Sequence, residues 1–451
     1  MKKLLTLGLA AGLVMAASAP ASAIDVKMDG LYTFQYDWEK NFTKDGPSMD
    51  YQWQYVRVGA TFTASEALSG YFQVEGRWQW GNGTDPLATK STDLTGGNQP
   101  GDYPNAAVRM AYIDWLVPGT PVKVRMGRQA LAPVAVATGK NPAFWQSDPA
   151  DGIAISAPIN DMFAVNAFWA RYGRNTSWVT CDADTADLFY LGGSMKLDGF
   201  QLQPWVAFAA VDEGSLIGIN GFRGNDSQMA GHGDSNIYWA GATATLNLFD
   251  PFVAKASFVY GDRNFKGADA AQHGWFADAV VSYKTPYGTP SLAGWYASGD
   301  NDGDYQYQGN LPGIAGRNAL SMGFFNGGPF MDNIRQHAHG NHHSASGTWG
   351  VRLAMDNISF LQDLSHSVAV VFTQGTNDKQ NTGYDDPWLY MTSKDRFVEF
   401  DFTTTYKIYK NLSAIFGVAY IVEDFKTGAE YTRADSYDNG WGISAQISYA
   451  F

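Results

Sequence analysis

The sequence predicts an all-β protein, a transmembrane antiparallel up-and-down β-barrel of about 18 strands, with about 16 as the alternative count. Three observations predict it. Apolar and polar residues alternate in segment after segment, at the period of two that a strand imposes. Long and short connections alternate along the chain. The chain opens with an export signal, yet no later stretch reaches the roughly 20 consecutive apolar residues of a spanning helix.

Residues 1–23 read as a signal peptide. Lys2 and Lys3 form its positive end, residues 4–17 its apolar run, and Ala21-Ser22-Ala23 its small-residue cleavage site. Residues 24–451 then form a single barrel domain. An exported chain without a spanning helix crosses a bilayer as a closed barrel or not at all, because lipid offers no partner to an open strand edge.

The strands follow in order. In residues 25–38, Val26, Met28, Tyr32, Phe34, Tyr36 and Trp38 share one face, with Lys27, Asp29, Thr33, Gln35 and Asp37 on the other. Residues 51–64 start with Tyr51, Trp53 and Tyr55 on one parity and continue with Val58, Ala60 and Phe62 on the other. A bulge near Val56 is expected to reconcile the two. Residues 70–80 set Phe72, Val74, Trp78 and Trp80 against Gln73, Glu75, Arg77 and Gln79.

Strands at 106–117 and 122–129 are joined through Pro118-Gly119-Thr120, and the alternation of long and short connections then continues. Short connections are expected at 158–161, 198–199, 249–251, 286–289 and 409–411, and one of moderate length at 357–365. Strands 252–260, 398–408 and 412–422 alternate cleanly. The last strand places Trp441, Ile443, Ala445, Ile447, Tyr449 and Phe451 opposite Gly442, Ser444, Gln446 and Ser448. Charged residues such as Glu75, Arg77, Lys255, Arg352, Glu399 and Asp401 sit mid-strand opposite bulky apolar neighbours. That pattern calls for water on one side of each strand and lipid on the other.

Composition agrees. The chain has 451 residues, 15% of them aromatic, with 49 Gly, and its mean hydropathy falls just below zero. A net charge of −13 argues against a nucleic-acid partner, which would call for a basic surface. Cys181 is the single cysteine, so no intrachain disulfide forms.

At Val124-Arg125-Met126-Gly127-Arg128-Gln129 the chain resembles the general bacterial porins. In that family a Gly-Arg-Gln sequence closes the fifth strand, before a third loop that folds into the barrel and narrows it. Asp151-Gly152-Ile153-Ala154-Ile155 resembles the re-entry into strand six, and Phe451 resembles the terminal assembly signal. Together with Ala111-Tyr112-Ile113-Asp114-Trp115, these segments are most similar to the homotrimeric porins of sulfate-reducing bacteria. The resemblance implies an outer-membrane homotrimer among lipid and lipopolysaccharide, passing small hydrophilic solutes and ions by passive diffusion. Residues 130–151 would be the constriction loop. Two departures stand out: the usual members have sixteen strands, and the usual third loop is richer in acids than this one, where Leu131, Val134, Val136, Phe144 and Trp145 dominate.

A diffusion pore needs a wet channel, a narrowing, and charges that set the field. Arg57, Arg77, Arg109, Arg125 and Arg128 come from strands two to five, neighbours in a barrel, and Lys123 extends the set. Asp148 and Asp151 would face them from the loop. The alternative is that these arginines pair with Glu75 and Asp114 merely to satisfy the inner wall.

No catalytic residue and no cofactor is expected. His337, His339, His342 and His343 are weak metal candidates in a Gly- and Asn-rich loop. Asp300, Asp302 and Asp304 resemble the start of a Ca2+ loop but lack the Gly at the sixth position and the distal Glu. A solvated loop tip is the reading set against a bound divalent cation. The competing functions are an outer-membrane barrel enzyme (lipase or protease) and a structural or adhesin barrel. No Gly-x-Ser-x-Gly elbow supports the first, and a barrel this wide would hold water in either case. Neutralising Arg77 and Arg128 is expected to shift the reversal potential in asymmetric salt.

Overall fold

The structure is a computed structural model that describes residues 24–40, 48–80, 105–131, 135–139, 149–176, 183–212, 234–266, 271–300, 307–313, 347–378, 391–425 and 439–451. Its first strands are β1 (Asp25–Lys40), β2 (Ser48–Ser65), β3 (Leu68–Gln79), β4 (Asn105–Leu116), β5 (Lys123–Ala130) and β6 (Pro149–Pro158). Next come β7 (Phe163–Thr176), β8 (Ala183–Leu197), β9 (Phe200–Val211), β10 (Ser235–Leu246), β11 (Phe252–Phe265), β12 (Ala271–Tyr283) and β13 (Thr289–Ala297). The series ends with β14 (Tyr307–Gln308), β15 (Thr348–Leu361), β16 (Leu364–Gly375), β17 (Arg396–Tyr409), β18 (Leu412–Asp424) and β19 (Gly440–Ala450). All belong to one sheet of 19 strands. Two-residue β14 pairs parallel with Ala271–Gln272 of β12 and stands outside the ring. The other 18 strands close an antiparallel up-and-down barrel, as the sequence predicts.

Closure falls between first and last strands. β1 pairs with β19 from Leu31↔Ala450 to Lys40↔Trp441. Phe451 extends the seam: Gly30 N donates to its carbonyl at 2.8 Å, and its own N donates to the Gly30 carbonyl at 3.0 Å. Gly30 interrupts the apolar face of β1 because any Cβ there would enter the Phe451 ring. On the inner side of the seam, Thr33 and Ser448 hydroxyls lie 3.3 Å apart, and Ser444 donates to Asp37.

Side chains sort by parity. Val26, Met28, Phe72, Ile153, Ile155, Phe189, Leu191, Phe258, Val370, Phe400 and Ile447 are exposed on the outer face. Aromatic contacts run around that face, as in Phe189–Phe208–Tyr238 at 6.2 and 5.0 Å, and Trp275–Tyr296 at 5.0 Å. The opposite parity faces inward and includes buried Gln35, Asp37, Gln73, Ser257, Asp278, Glu399 and Ser444.

Two expectations are corrected. β2 holds one register against β1 from Ser48 to Thr63, without a bulge near Val56. Trp53 and Tyr55 therefore face inward with Arg57, and aromatic character alone does not mark the outer face here. The moderate connection expected at 357–365 is mostly strand. Asn357 (φ 55) sits in a register shift within β15, and Asp363 (φ 62) turns the hairpin. Asn and Asp tolerate this left-handed region, so both look like loop residues in the sequence.

Gly127, in the Gly-Arg-Gln segment, has φ 125 and lies against the Ala111 carbonyl oxygen and Tyr112 Cα of β4. A Cβ has no room there, and an L side chain strains the backbone. Gly127→Ala is expected to destabilise the barrel by about 1–3 kcal/mol. A lower midpoint of the heat-induced shift in detergent gels would register the loss.

Candidate functional site

The inner wall of β2–β5 carries two clusters of paired charge. Arg57 lies directly across the ladder from Glu75, and its Nε reaches Glu75 Oε2 at 2.5 Å. Arg109 sits at a register shift in β4. Its Nε lies 3.3 Å from the same Glu75 oxygen, and its Nη1 donates to Gln73 Oε1 at 3.3 Å. The bulge sets Arg109 inward, although counting by twos from Ile113 and Trp115, exposed on the outer face, would set it outward.

The second cluster adjoins the β4–β5 turn. Arg125 donates to both oxygens of Asp114, Nε to Oδ1 at 2.6 Å and Nη2 to Oδ2 at 2.8 Å. This two-point geometry suits a planar guanidinium. Lys123 Nζ is 2.8 Å from Asp114 Oδ2. The Arg125 guanidinium covers the Tyr112 ring at 4.0 Å, and Tyr112 meets Tyr71 at 5.5 Å. Arg57 likewise lies 5.0 Å over Tyr55.

Among the described residues, each of these ion-pair sets places two cations on one carboxylate. The guanidinium side chains keep partial exposure, 25% for Arg57 and 31% for Arg125. At such exposure each pair contributes at most about 1 kcal/mol to stability, so holding the wall together does not account for two cations on each acid. What the arrangement supplies is a set of fixed, paired charges on the inner wall with aromatic faces beside it, and Asp29 joins the second cluster by accepting from the Tyr71 hydroxyl at 2.9 Å.

The residues expected at the constriction thus divide. Arg57, Arg109 and Arg125 share the inner wall of neighbouring strands. Arg77 pairs its backbone with Tyr55 in β3, while its side chain lies outside the described residues. Asp148 lies outside the described residues altogether, as do His337, His339, His342, His343, Asp302 and Asp304. Asp300 is described and buried, and its backbone N donates to Asn377 Oδ1 at 2.9 Å. Among the described residues no group of three or more His, Cys, Asp or Glu could hold a metal ion.

Arg128 and Asp151 are corrected. They are ladder partners, and both take the parity of Met126 and Ile153, which faces outward. The 67% exposed side chain of Asp151 lies 3.6 Å from Arg128. The row continues to Arg171, the ladder partner of Asp151, and to Asp187, which accepts two bonds from Arg171 at 2.8 and 2.7 Å. Four alternating charges therefore line the outer face near the long-loop end of β5–β8. A charge facing lipid costs about 2–4 kcal/mol at the midplane and about 0–1 near the interface, so this row belongs at the edge of the apolar belt.

The inner wall of β6–β13 is different in kind. Phe168, Tyr190 and Trp205 stack in series at 4.7 and 5.9 Å. With Ile237, Trp239, Val259, Phe276 and Trp295 they form a buried apolar core inside the ring. Two inward segments cover it. Leu131 and Val136 come from the third long connection. Leu311 comes from the connection after β13, where Trp239 Nε1 donates to the Pro312 carbonyl at 2.7 Å. Gly274 permits that approach, since a Cβ would strike the backbone at Asn310 and Leu311. Leu131 and Val136, two of the apolar loop residues noted in the sequence, thus have a partner, an apolar wall.

No protein-family profile matches the sequence, and no curated protein does. Solved structures from Pseudomonas aeruginosa share the fold. OpdO aligns over 95% of this chain and 97% of its own, at 13% identity and a TM-score of 0.56. OpdQ aligns over 95% and 98%, at 13% identity and 0.56. OpdK, in a complex with vanillate, aligns over 95% and 98%, at 11% identity and 0.55. At such identity the likeness is one of fold. It agrees with the general-porin architecture and lends nothing to the finer resemblance to porins of sulfate-reducing bacteria.

Glu75→Gln removes the carboxylate shared by Arg57 and Arg109. It is expected to move the reversal potential in asymmetric salt toward anions, whereas Arg128→Gln, altering an outward residue, is expected to leave it unchanged.

Proposed function

We propose that this chain is an outer-membrane porin, a water-filled channel for passive diffusion of small hydrophilic solutes and ions, with a preference for anions. One observation carries the reading. A closed ring wears an apolar, aromatic belt outside and partly exposed, predominantly cationic clusters on the inner wall of β2–β5. The belt suits a bilayer, and the clusters suit a wet lumen.

Likeness in fold to the outer membrane protein OpdK supports the location. The vanillate complex supports the solute class, because vanillate is a small aromatic carboxylate. Cations beside Tyr55, Tyr71 and Tyr112 match that chemistry through charge and ring stacking. The function needs no cofactor and no catalytic group. Homotrimeric assembly, implied by the sequence resemblance, belongs to this proposal, as do lipid and lipopolysaccharide as neighbours of the outer face.

Purified protein in a planar lipid bilayer is expected to give stepwise ionic currents. Arg57→Gln combined with Arg125→Gln is expected to shift selectivity from anions toward cations. A protein that stays dispersed without detergent, or passes no ions, would overturn the reading.

A further inference from the structure

The third long connection leaves the ring after Ala130 and returns at Pro149. Its residues 135–138 do not stay beside β5 and β6. They lie against β10–β12, several strands around the ring, on its inner side. Thr243 Oγ1 donates to the Ala135 carbonyl at 2.8 Å. Ala137 N donates to Ser257 Oγ at 2.9 Å and to Asp278 Oδ1 at 3.3 Å. Thr138 donates twice to Asp278 Oδ2, from N at 2.8 Å and from Oγ1 at 2.5 Å. Ser257 Oγ also donates to Asp278 Oδ1.

Thr243, Ser257 and Asp278 are partners in one cross-strand row, Thr243↔Ser257↔Asp278. They make a polar seat within the apolar half of the wall, between Trp239, Val259, Phe276 and Trp295. Asp278 is only 5% exposed. A carboxylate this deeply buried is costly unless hydrogen-bonded, and here the loop provides three of its four donors. Neither the ladder nor the outer belt needs an acid at this point.

We infer that Asp278 is a positioning residue: it fastens residues 135–139 of the third connection to the far wall, so that this piece of chain is a fixed partition inside the lumen. The consequence for permeation rests on the porin reading; the fastening itself does not. Replacing Asp278 removes the acceptor of the Thr138 amide, and one of the two acceptors of the Ala137 amide, without altering any backbone pairing of the ring.

Hydrogen exchange, followed by mass spectrometry on the detergent-solubilised protein, tests the fastening directly. In Asp278→Ala the Thr138 amide is expected to exchange roughly ten- to hundred-fold faster, the loss expected for a hydrogen bond to a charged acceptor, and the Ala137 amide, which keeps Ser257 Oγ, by less. Amides of β1 and β19 should keep their protection. Thr138→Val, which removes one donor from the loop side, should give a smaller increase in the same direction and serves if Asp278→Ala does not fold. Unchanged exchange at 137–138 in a folded variant overturns the inference. In bilayers, the Asp278→Ala pore should flicker between current levels and admit larger polyethylene glycols. Wild-type current noise and exclusion limit in that variant would overturn the partition role, whereas no current from the wild type would overturn the porin reading alone.

Discussion

The ring depends on one requirement: in a nonaqueous surround, every strand must find hydrogen-bond partners on both sides. An unpaired peptide group facing lipid costs several kcal/mol, so one open edge would outweigh many favourable contacts. The seam between β1 and β19 meets this requirement, and its two faces show what it demands. Outside, Trp38 meets Trp441 edge-on at 4.9 Å, and Phe451 lies over Gly30. Inside, small hydroxyl and amide residues interlock. The first and last strands are thus complementary on both sides, although more than four hundred residues separate them.

Closure fixes parity, and parity fixes the chemistry of the lumen. Once Ile153 points outward, Asp151 must as well, and a one-residue slip would invert the whole strand. The bulge in β4 is the local exception: it turns Arg109 inward to share Glu75 with Arg57. The outcome is a lumen with two unlike halves. One wall holds cations beside carboxylates and tyrosines. The other is aromatic, dry, and covered by chain folded in from the loops.

Much of this was legible from periodicity. The face assignments of β1, β3 and β19, the strand number and the sorting of loop lengths all follow from alternation, because the outer belt must be apolar along its whole height. β2 was misread because an inner wall that stacks guanidinium on tyrosine also carries rings, and a ring does not say which solvent it meets. Grouping Arg128 with the other arginines of strands two to five sets it inward, whereas counting by twos from Met126 sets it outward. Nothing local in the sequence marks Asp278. Its inward parity shows beside Ala277 and Ala279, but its partners lie some 140 residues away in sequence, and no local pattern announces such a contact. The same holds for Pro312 against Trp239.

The dry half of the lumen bears on what the girth of the ring is for. Barrel diameter grows with strand number, and a wide barrel is easily equated with a wide passage. Here Leu131, Val136 and Leu311, from chain that lies inside the ring, pack in one core with Phe168, Tyr190, Trp205 and Trp239. Eighteen strands thus house an internal scaffold as well as a wall of paired charges. A solute passing between them would be met by charge and rings on one flank and by backbone on the other. Sieving in such a design is governed by how the interior is furnished, which substitutions can alter without adding or removing a single strand.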